Sequence, residues 1–393
     1  MNYDEIIKKY KTPLYIYNVD KLLKRIEYLK SIFSTSKLVY AIKANSFIVK
    51  EIEDSIDKYE ICSIGEFDIC NKLNIDYNKM VISGVNKDKD FIERLISNYE
   101  INRYTIESLE QYKILDDLSK KYNKKINVIV RLTSLNQFGV SEEDFKYIIN
   151  NHNKELMNIE GLEYFSGTQK HSIKRINKEV DYINEFIDVL LNECNFKIKE
   201  VEYGPGLPIM YYQTDEFDEE LFLKEVNNSL SRLNCEEVLI ESGRSIVADC
   251  GEYLTTVVDL KSNKTGNYAI VDGGIHQLVY YGSTLAMKIP HFRLLNNKEK
   301  KTDNYNIYGS LCTINDVLMK NVDLPKLSIG DVFVFEKVGA YSSTEGISLF
   351  LSRDLPKIVL YKNCNCILVR DRIETSNVNY PDYGCEEWVR WTI

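Results

Sequence analysis

The run VYAIKAN, residues 39–45, decides the architecture. It is aliphatic and aromatic, reads as a strand, and carries Lys43 near its end. A doubly wound open sheet would follow its first strand with a glycine-rich turn; this run gives way to Ala44-Asn45-Ser46 instead. Seven further short runs follow it: Glu60–Ile64, Met80–Gly84, Tyr104–Glu107, Ile126–Leu132, Gly161–Ser166, Val201–Gly204 and Val238–Glu241. Helical patterns such as Phe91–Tyr99, Leu109–Tyr122 and Val180–Leu191 lie between them. Strand–helix alternation signals parallel βαβ units, and eight of them predict an α/β chain folded as a (β/α)8 barrel.

Past residue 250 the texture changes. Tyr253–Leu260, Asn267–Val271, Asn306–Tyr308, Asp331–Glu336, Pro356–Tyr361 and Cys366–Arg370 read as strands without helices between them. They predict a C-terminal antiparallel β domain. Residues 12–18 (TPLYIYN) read as a strand that joins it. The expected domains are therefore a barrel over 30–250 and a β domain over 251–393, completed by the N-terminal strand 12–18.

Composition narrows the function. The chain has 393 residues, which at about 150 per domain suits two or three domains. Apolar residues make up 44% and the net charge is −9, so collagenous, disordered and disulfide-scaffold classes are excluded. An acidic chain with scattered Lys does not suit a nucleic acid, and it offers no polybasic stretch to an anionic membrane. The nine Cys contain no CxxC pair, and the four His no HExxH, so no metal site is expected. Cys364 and Cys366 read as neighbours on one sheet face. The N-terminal MNYDEIIKKYKTP has no apolar h-region, and no apolar run reaches 18 residues. A reducing cytoplasm is the expected setting.

In a (β/α)8 barrel the reactive groups sit at the carboxyl ends of the strands. Those ends carry Lys43, Ser63-Ile64-Gly65-Glu66, Arg131, Phe165-Ser166-Gly167-Thr168-Gln169, Gly204-Pro205-Gly206 and Glu241-Ser242-Gly243-Arg244. A Lys desolvated in a barrel mouth is expected to have a lowered pKa and can form a Schiff base. Glycine turns and an Arg suit a phosphate. A carboxylate suits a pyridinium nitrogen. Together they describe pyridoxal 5'-phosphate held in a barrel. Singly, each piece has a plainer reading: a surface Lys, an ordinary turn, an ion pair.

In order along the chain, these motifs resemble those of the fold-type III pyridoxal phosphate decarboxylases, the diaminopimelate and ornithine/arginine decarboxylase group. Tyr40–Asn45 matches the family's lysine motif, Ser63–Glu66 its S-x-GE turn and Gly167-Thr168-Gln169 its GSQ turn. Gly204-Pro205-Gly206 stands where the family has GGG, and Glu241–Arg244 matches its E-P-G-R run. Leu311–Val317 stands at the catalytic Cys motif, and Gly339-Ala340-Tyr341 matches GAY. The resemblance implies an alanine-racemase-like barrel with a C-terminal β domain. It implies that Lys43 carries the cofactor and that Glu241 keeps the pyridine nitrogen protonated. Arg244, Gly204, Gly206 and Tyr341 would hold the phosphate, with Thr168 in the adjoining turn. Arg131 would lie near the ring oxygen or the Lys. Cys312 would protonate Cα from the second subunit of a head-to-tail homodimer, with Asp316 beside it. Glu66 reads as a helix cap.

Three departures bear on the substrate. Phe165 stands where the family has a stacking His; it can stack but cannot move a proton. Thr313 follows Cys312 where ornithine and diaminopimelate enzymes place an acid, and a hydroxyl cannot neutralise a buried cation. Residues 133–139 form a short loop where diaminopimelate decarboxylases have a longer one. These features are similar to the glutamyl-carrier-protein decarboxylases of butirosin type, through Phe165–Gln169, Glu241–Arg244, Val271–Gly274 and Ser310–Asp316. The expected substrate is thus an α-amino acid, free, conjugated or carrier-bound. Arg293 or Lys288 is a candidate for a substrate carboxylate, although a solvated surface charge is the plainer reading of each. The alternatives are an ordinary diaminopimelate decarboxylase, an amino-acid racemase, and an inactive regulatory homologue. The last two sit poorly with Glu241, Lys43 and Cys312 all being present.

Overall fold

The structure, a computed structural model, describes residues 1–295, 297 and 301–381. The end of the expected β domain, 382–393, lies outside the described residues. The chain divides into two compact units, one of Val19–Met210 with Asp215–Cys250, the other of Met1–Asn18, Tyr211–Thr214 and the chain from Gly251.

In the first unit eight parallel strands close into a barrel: Ser36–Ala41, Lys58–Ile61, Met80–Ile82, Arg103–Ile106, Ile126–Arg131, Met157–Phe165, Glu200–Gly204 and Glu237–Ser242. Closure is made by the first strand pairing with the last, Ser36 opposite Val238 through Tyr40 opposite Ser242. The strands are buried on both faces and largely apolar; Leu38, Val39, Tyr40 and Ala41 are all at most 2% exposed. Helices between the strands begin where a Ser hydroxyl or an Asp carboxylate can cap them. Ser108 accepts the Gln111 N–H at the start of Leu109–Tyr122, and Asn123 ends that helix in the left-handed region. Ser63 likewise opens Ile64–Lys72 by accepting the Glu66 N–H. In return the Glu66 carboxylate accepts the Cys62 N–H at 2.6 Å, a reciprocal cap.

All eight expected strands are present, but the first is shorter than its apolar run. It leaves the sheet at Ala41, and Ile42–Ala44 forms a 3-10 turn. Lys43 therefore stands just past the strand end. Charged side chains recur along the barrel strands, among them Glu60, Arg103, Arg131, Glu163, Glu202 and Glu241. Arg103, 2% exposed, is held by Glu160 at 2.7 Å, by Glu200, and by Glu202 at 3.7 Å.

The second unit is built on a nine-stranded sheet. Its path runs Val317–Pro325, Thr302–Tyr308, Gly266–Val271, Gly251–Asn263, Leu14–Asn18, Lys357–Lys362, Asn365–Arg370; Val332–Glu336 pairs with Gly251–Asn263 and with Phe292–Leu295. The sheet departs from the antiparallel expectation at two seams. Leu14–Asn18 is antiparallel to Gly251–Asn263 but parallel to Lys357–Lys362, and Gly266–Val271 is parallel to Thr302–Tyr308. Parallel neighbours need long connections, and these connections span most of the chain and residues 272–301. Helix Tyr3–Tyr10 packs Ile6 and Tyr10 onto Leu14, Ile16, Leu254 and Val359. Among the described residues no helix is long and apolar enough to cross a membrane.

Candidate active site

At the carboxyl end of the barrel Lys43 Nζ meets three groups: Glu60 Oε2 at 2.7 Å, Cys62 Sγ at 3.7 Å and Glu241 Oε1 at 3.9 Å. The Lys43 side chain is 42% exposed, whereas those of Glu60 and Glu241 are 4% and 9% exposed. The amine thus faces open space from a buried acidic floor. Burial by itself would lower the Lys43 ammonium, as the sequence led us to expect. The carboxylate of Glu60, with Cys62 and Glu241, reverses this and holds it well above its ordinary value. Glu60 is pushed up by burial but drawn lower still by Lys43, and it ends below the usual carboxylate range. Glu241 goes the other way: burial and the like charge of Glu60 push it well above that range. The Cys62 thiol is also raised, by burial and by Glu60.

Arg131 ends the fifth barrel strand. Its Nη1 donates to Glu107 at 3.1 Å and its Nε lies 3.3 Å from Glu163. The guanidinium lies over Phe138 at 4.7 Å and Phe165 at 5.9 Å. Phe165 lies against Gly204, where a Cβ would come within 2.1 Å of the ring. An aromatic thus occupies the position where the resemblance implies a stacking residue.

Two glycine turns press together beside this floor. Gly206 has φ +61°, and a Cβ there would sit 2.2 Å from the Gly167 carbonyl oxygen; only glycine fits. Gln169 laces them, donating to the Ile209 carbonyl at 2.9 Å and accepting the Ile209 N–H at 2.8 Å. Thr168 lies half-buried between them. Neither the Thr168 nor the Gly206 N–H donates to a backbone carbonyl among the described residues. Such a nest of glycine backbone suits a phosphate. The turn carrying Glu241 and buried Arg244 packs on the Lys43 turn, for a Cβ on Gly243 would lie 2.8 Å from Ala44 Cβ. The barrel unit thus brings together Lys43, Arg131, Phe165, Thr168, Gly204, Gly206, Glu241 and Arg244.

The remaining expected residues belong to the β unit. Cys312 is exposed, and Thr313 is half-buried beside it. Asp316 is fully buried; it accepts the Leu311 N–H at 2.7 Å and the Ile275 N–H at 2.8 Å, fastening the Cys312 loop. Tyr341 has φ +64°, and its carbonyl accepts the Thr344 N–H at 2.8 Å. Arg293 is engaged within its own unit, 2.6 Å from Glu252 and 3.6 Å from Glu336, with the Tyr3 hydroxyl as a further partner. Lys288 lies over the Tyr212 ring at 4.8 Å.

Sequence reasoning passed over Glu60, Glu107, Glu163, Lys170 and Glu179. The signal for the first three was available: an acid within or at the end of a barrel strand is buried and needs a partner. Lys170 and Glu179 sit on a loop and a helix, where charges are ordinarily solvated.

Residues 14–339 match the family model described as pyridoxal-dependent decarboxylase, C-terminal sheet domain. The chain belongs to this family of pyridoxal-dependent decarboxylases, the ornithine, diaminopimelate and arginine decarboxylase group. It is similar to the diaminopimelate decarboxylase of Campylobacter jejuni, with 26% identity over 364 residues, covering 87% of this chain and 89% of the relative. The diaminopimelate decarboxylase of Aquifex aeolicus is 24% identical, covering 94% and 91%. In fold the chain is similar to the crystal structure of Helicobacter pylori diaminopimelate decarboxylase complexed with L-lysine. The TM-score is 0.85 at 24% identity, covering 96% of this chain and 98% of that one. The lysine/ornithine decarboxylase of Vibrio vulnificus complexed with putrescine gives 0.81 at 18% identity, covering 92% and 98%. The fold is thus the alanine-racemase-like barrel joined to a β domain.

The barrel unit fits the cofactor. It holds a reachable amine, a buried carboxyl beside it, and a glycine cradle in which a Cβ on Gly204 or Gly206 would not fit. Pyridoxal 5'-phosphate is the cofactor of this enzyme, an amino-acid carboxy-lyase.

Proposed function

We propose that the enzyme removes the α-carboxyl group of an amino acid that presents no free distal ammonium, either conjugated or borne on a carrier protein. Thr313 carries this reading. It stands directly after Cys312, where an acid would meet a distal cation, and its hydroxyl accepts the Asn315 N–H at 3.3 Å rather than offering a charge. Burying an ammonium without a counter-charge costs several kcal/mol, on the order of the penalty per ion in a protein interior.

The cofactor supplies an electron sink for the pair of electrons left on Cα when CO2 departs. The chain supplies the rest. Lys43 would hold the cofactor, with Glu60 controlling the proton on its amine. Glu241 would face the ring nitrogen. Arg244, Gly204, Gly206, Thr168 and Tyr341 would bind the phosphate, with Arg131 near the ring oxygen or the lysine and Phe165 offering an aromatic face to the ring. Cys312 returns a proton to Cα, reaching in from the second subunit of a head-to-tail homodimer with shared sites. Asp316 acts through the Cys312 loop. Arg293 is left out of this reading because Glu252 and Glu336 already take its charge. The setting is cytoplasmic.

A second reading, decarboxylation of diaminopimelate itself, is favoured by the similar proteins, which are diaminopimelate decarboxylases. CO2 release by the holoenzyme separates the two. Diaminopimelate, lysine, ornithine, arginine and glutamate are compared with the same amino acids acylated on the distal group or linked as a glutamyl thioester to a carrier. Turnover confined to the modified set supports the proposal; rapid turnover of free diaminopimelate overturns it.

A further inference from the structure

Beneath the two glycine turns lies a single buried carboxylate that the reaction chemistry leaves unused. Glu179, on helix Ile173–Cys194, is 8% exposed. It accepts hydrogen bonds from Ser166 Oγ at 2.5 Å, Tyr203 Oη at 2.6 Å, Lys170 Nζ at 2.7 Å and Arg175 Nε at 3.1 Å. Ser166 immediately precedes Gly167, Tyr203 immediately precedes Gly204, and Lys170 immediately follows Gln169. Lys170 then reaches the second turn twice, from Nζ to the Gly204 carbonyl at 3.3 Å and from its N–H to the Gly206 carbonyl at 2.9 Å. One carboxylate therefore fixes both ends of the first turn and the entry to the second.

The turns need such a tie. Gly167 and Gly206 have no side chains with which to hold a conformation, and both have positive φ. The Lys170 side chain is wholly buried, and Glu179 is its ion-pair partner. Without that charge Lys170 would leave its place or lose its proton.

We propose that Glu179 is a positioning residue for the cofactor's phosphate. It sets the spacing between turns 167–169 and 204–206, and so governs affinity for the phosphorylated cofactor without touching the reacting atoms. A carboxylate with a merely structural role would, when replaced, weaken binding of pyridoxal phosphate and of unphosphorylated pyridoxal alike. A positioning role weakens the first and spares the second, because both aldehydes use Lys43.

The test titrates the apo-enzyme with each aldehyde and follows Schiff-base absorbance. E179Q sets an amide N–H against the Lys170 ammonium and should weaken pyridoxal phosphate about tenfold or more, leaving pyridoxal within about twofold. S166A and Y203F each remove one donor to Glu179 and should shift the same ratio in the same direction by less. They carry the test should E179Q not fold, which its circular dichroism would show. An unchanged ratio in all folded variants, or equal weakening of both aldehydes, overturns the proposal. Failure of the unmodified protein to bind pyridoxal phosphate would instead overturn the cofactor assignment.

Discussion

Lys43 Nζ donates to Glu60 Oε2 at 2.7 Å, so a carboxylate in the neighbouring strand favours the charged form of the amine at the barrel mouth. Burial and Glu60 pull the Lys43 ammonium in opposite directions, and Glu60, with Cys62 and Glu241, outweighs burial. E60Q removes the opposing charge and should lower the Lys43 pKa. The neutral fraction of the amine near pH 7.5 then rises, and Schiff-base formation should speed up in proportion, by about tenfold or more. Stopped-flow absorbance against pH checks this; a rate profile that does not move to lower pH would show that Glu60 does not hold the proton.

Glu202 makes a separate claim about pH. Burial pushes its carboxyl from 4.5 to about 8, with Arg103 at 3.7 Å only partly opposing it. A carboxyl raised on folding contributes stability below its unfolded value and loses it as pH climbs through the folded value. The apo-enzyme should therefore melt progressively lower between about pH 5 and pH 8. E202Q should flatten that decline and raise Tm at pH 8 by a few degrees, about 1 kcal/mol for a domain this large. A decline as steep as in the unmodified protein would refute this assignment.

Cys312 is exposed, in a loop that Asp316 fastens through the Leu311 N–H and Arg353 through the Ser310 carbonyl. C312A should lower kcat by about 100-fold, the usual scale for losing a positioned acid, while cofactor absorbance stays intact. Retention of most of the turnover would exclude Cys312 as the Cα acid.

D316A should act on the same loop from below. It strands the Leu311 and Ile275 N–H groups, which costs about 1–3 kcal/mol and frees Cys312. A lower Tm together with altered alkylation of Cys312 by iodoacetamide, followed by peptide mapping, is the expected pair of results. Unchanged stability would mean that the fastening is weaker than its geometry implies.

T313E restores an acid beside Cys312. It should raise kcat/KM for free diaminopimelate, lysine or ornithine by about tenfold or more relative to their acylated forms. No change in that ratio would show that position 313 does not read the distal group.

The barrel was legible because eight apolar runs alternate with helical patterns, and parallel strands buried on both faces must read that way. The place where the first strand stops was not. VYAIKAN is β-forming almost to its end, but the chain turns at Ile42 with Lys43 ion-paired to Glu60, a partner 17 residues away. The β unit's strands Phe292–Leu295 and Val317–Pro325 were also not legible, the second for a similar local reason. Lys320-Asn321 interrupts its alternation, and Asn321 takes φ +54° beside a register shift. The glycine turns and Glu241 were recognisable from local motifs. Glu179 was not, since its four donors come from three separate segments and a helical Glu ordinarily faces water.

The strand Leu14–Asn18 has a consequence for biosynthesis. Leu14, Tyr15, Ile16 and Tyr17 are wholly buried, yet Leu14 pairs with Leu254 on one side and Lys357 on the other. On the ribosome this apolar segment emerges well before Gly251–Asn263 and Lys357–Lys362 and waits for both neighbours, while the intervening barrel strands can already close. Throughout translation it is an unpaired, aggregation-prone edge. Chaperone dependence and inclusion-body formation should therefore track this short strand far more than the barrel that follows it.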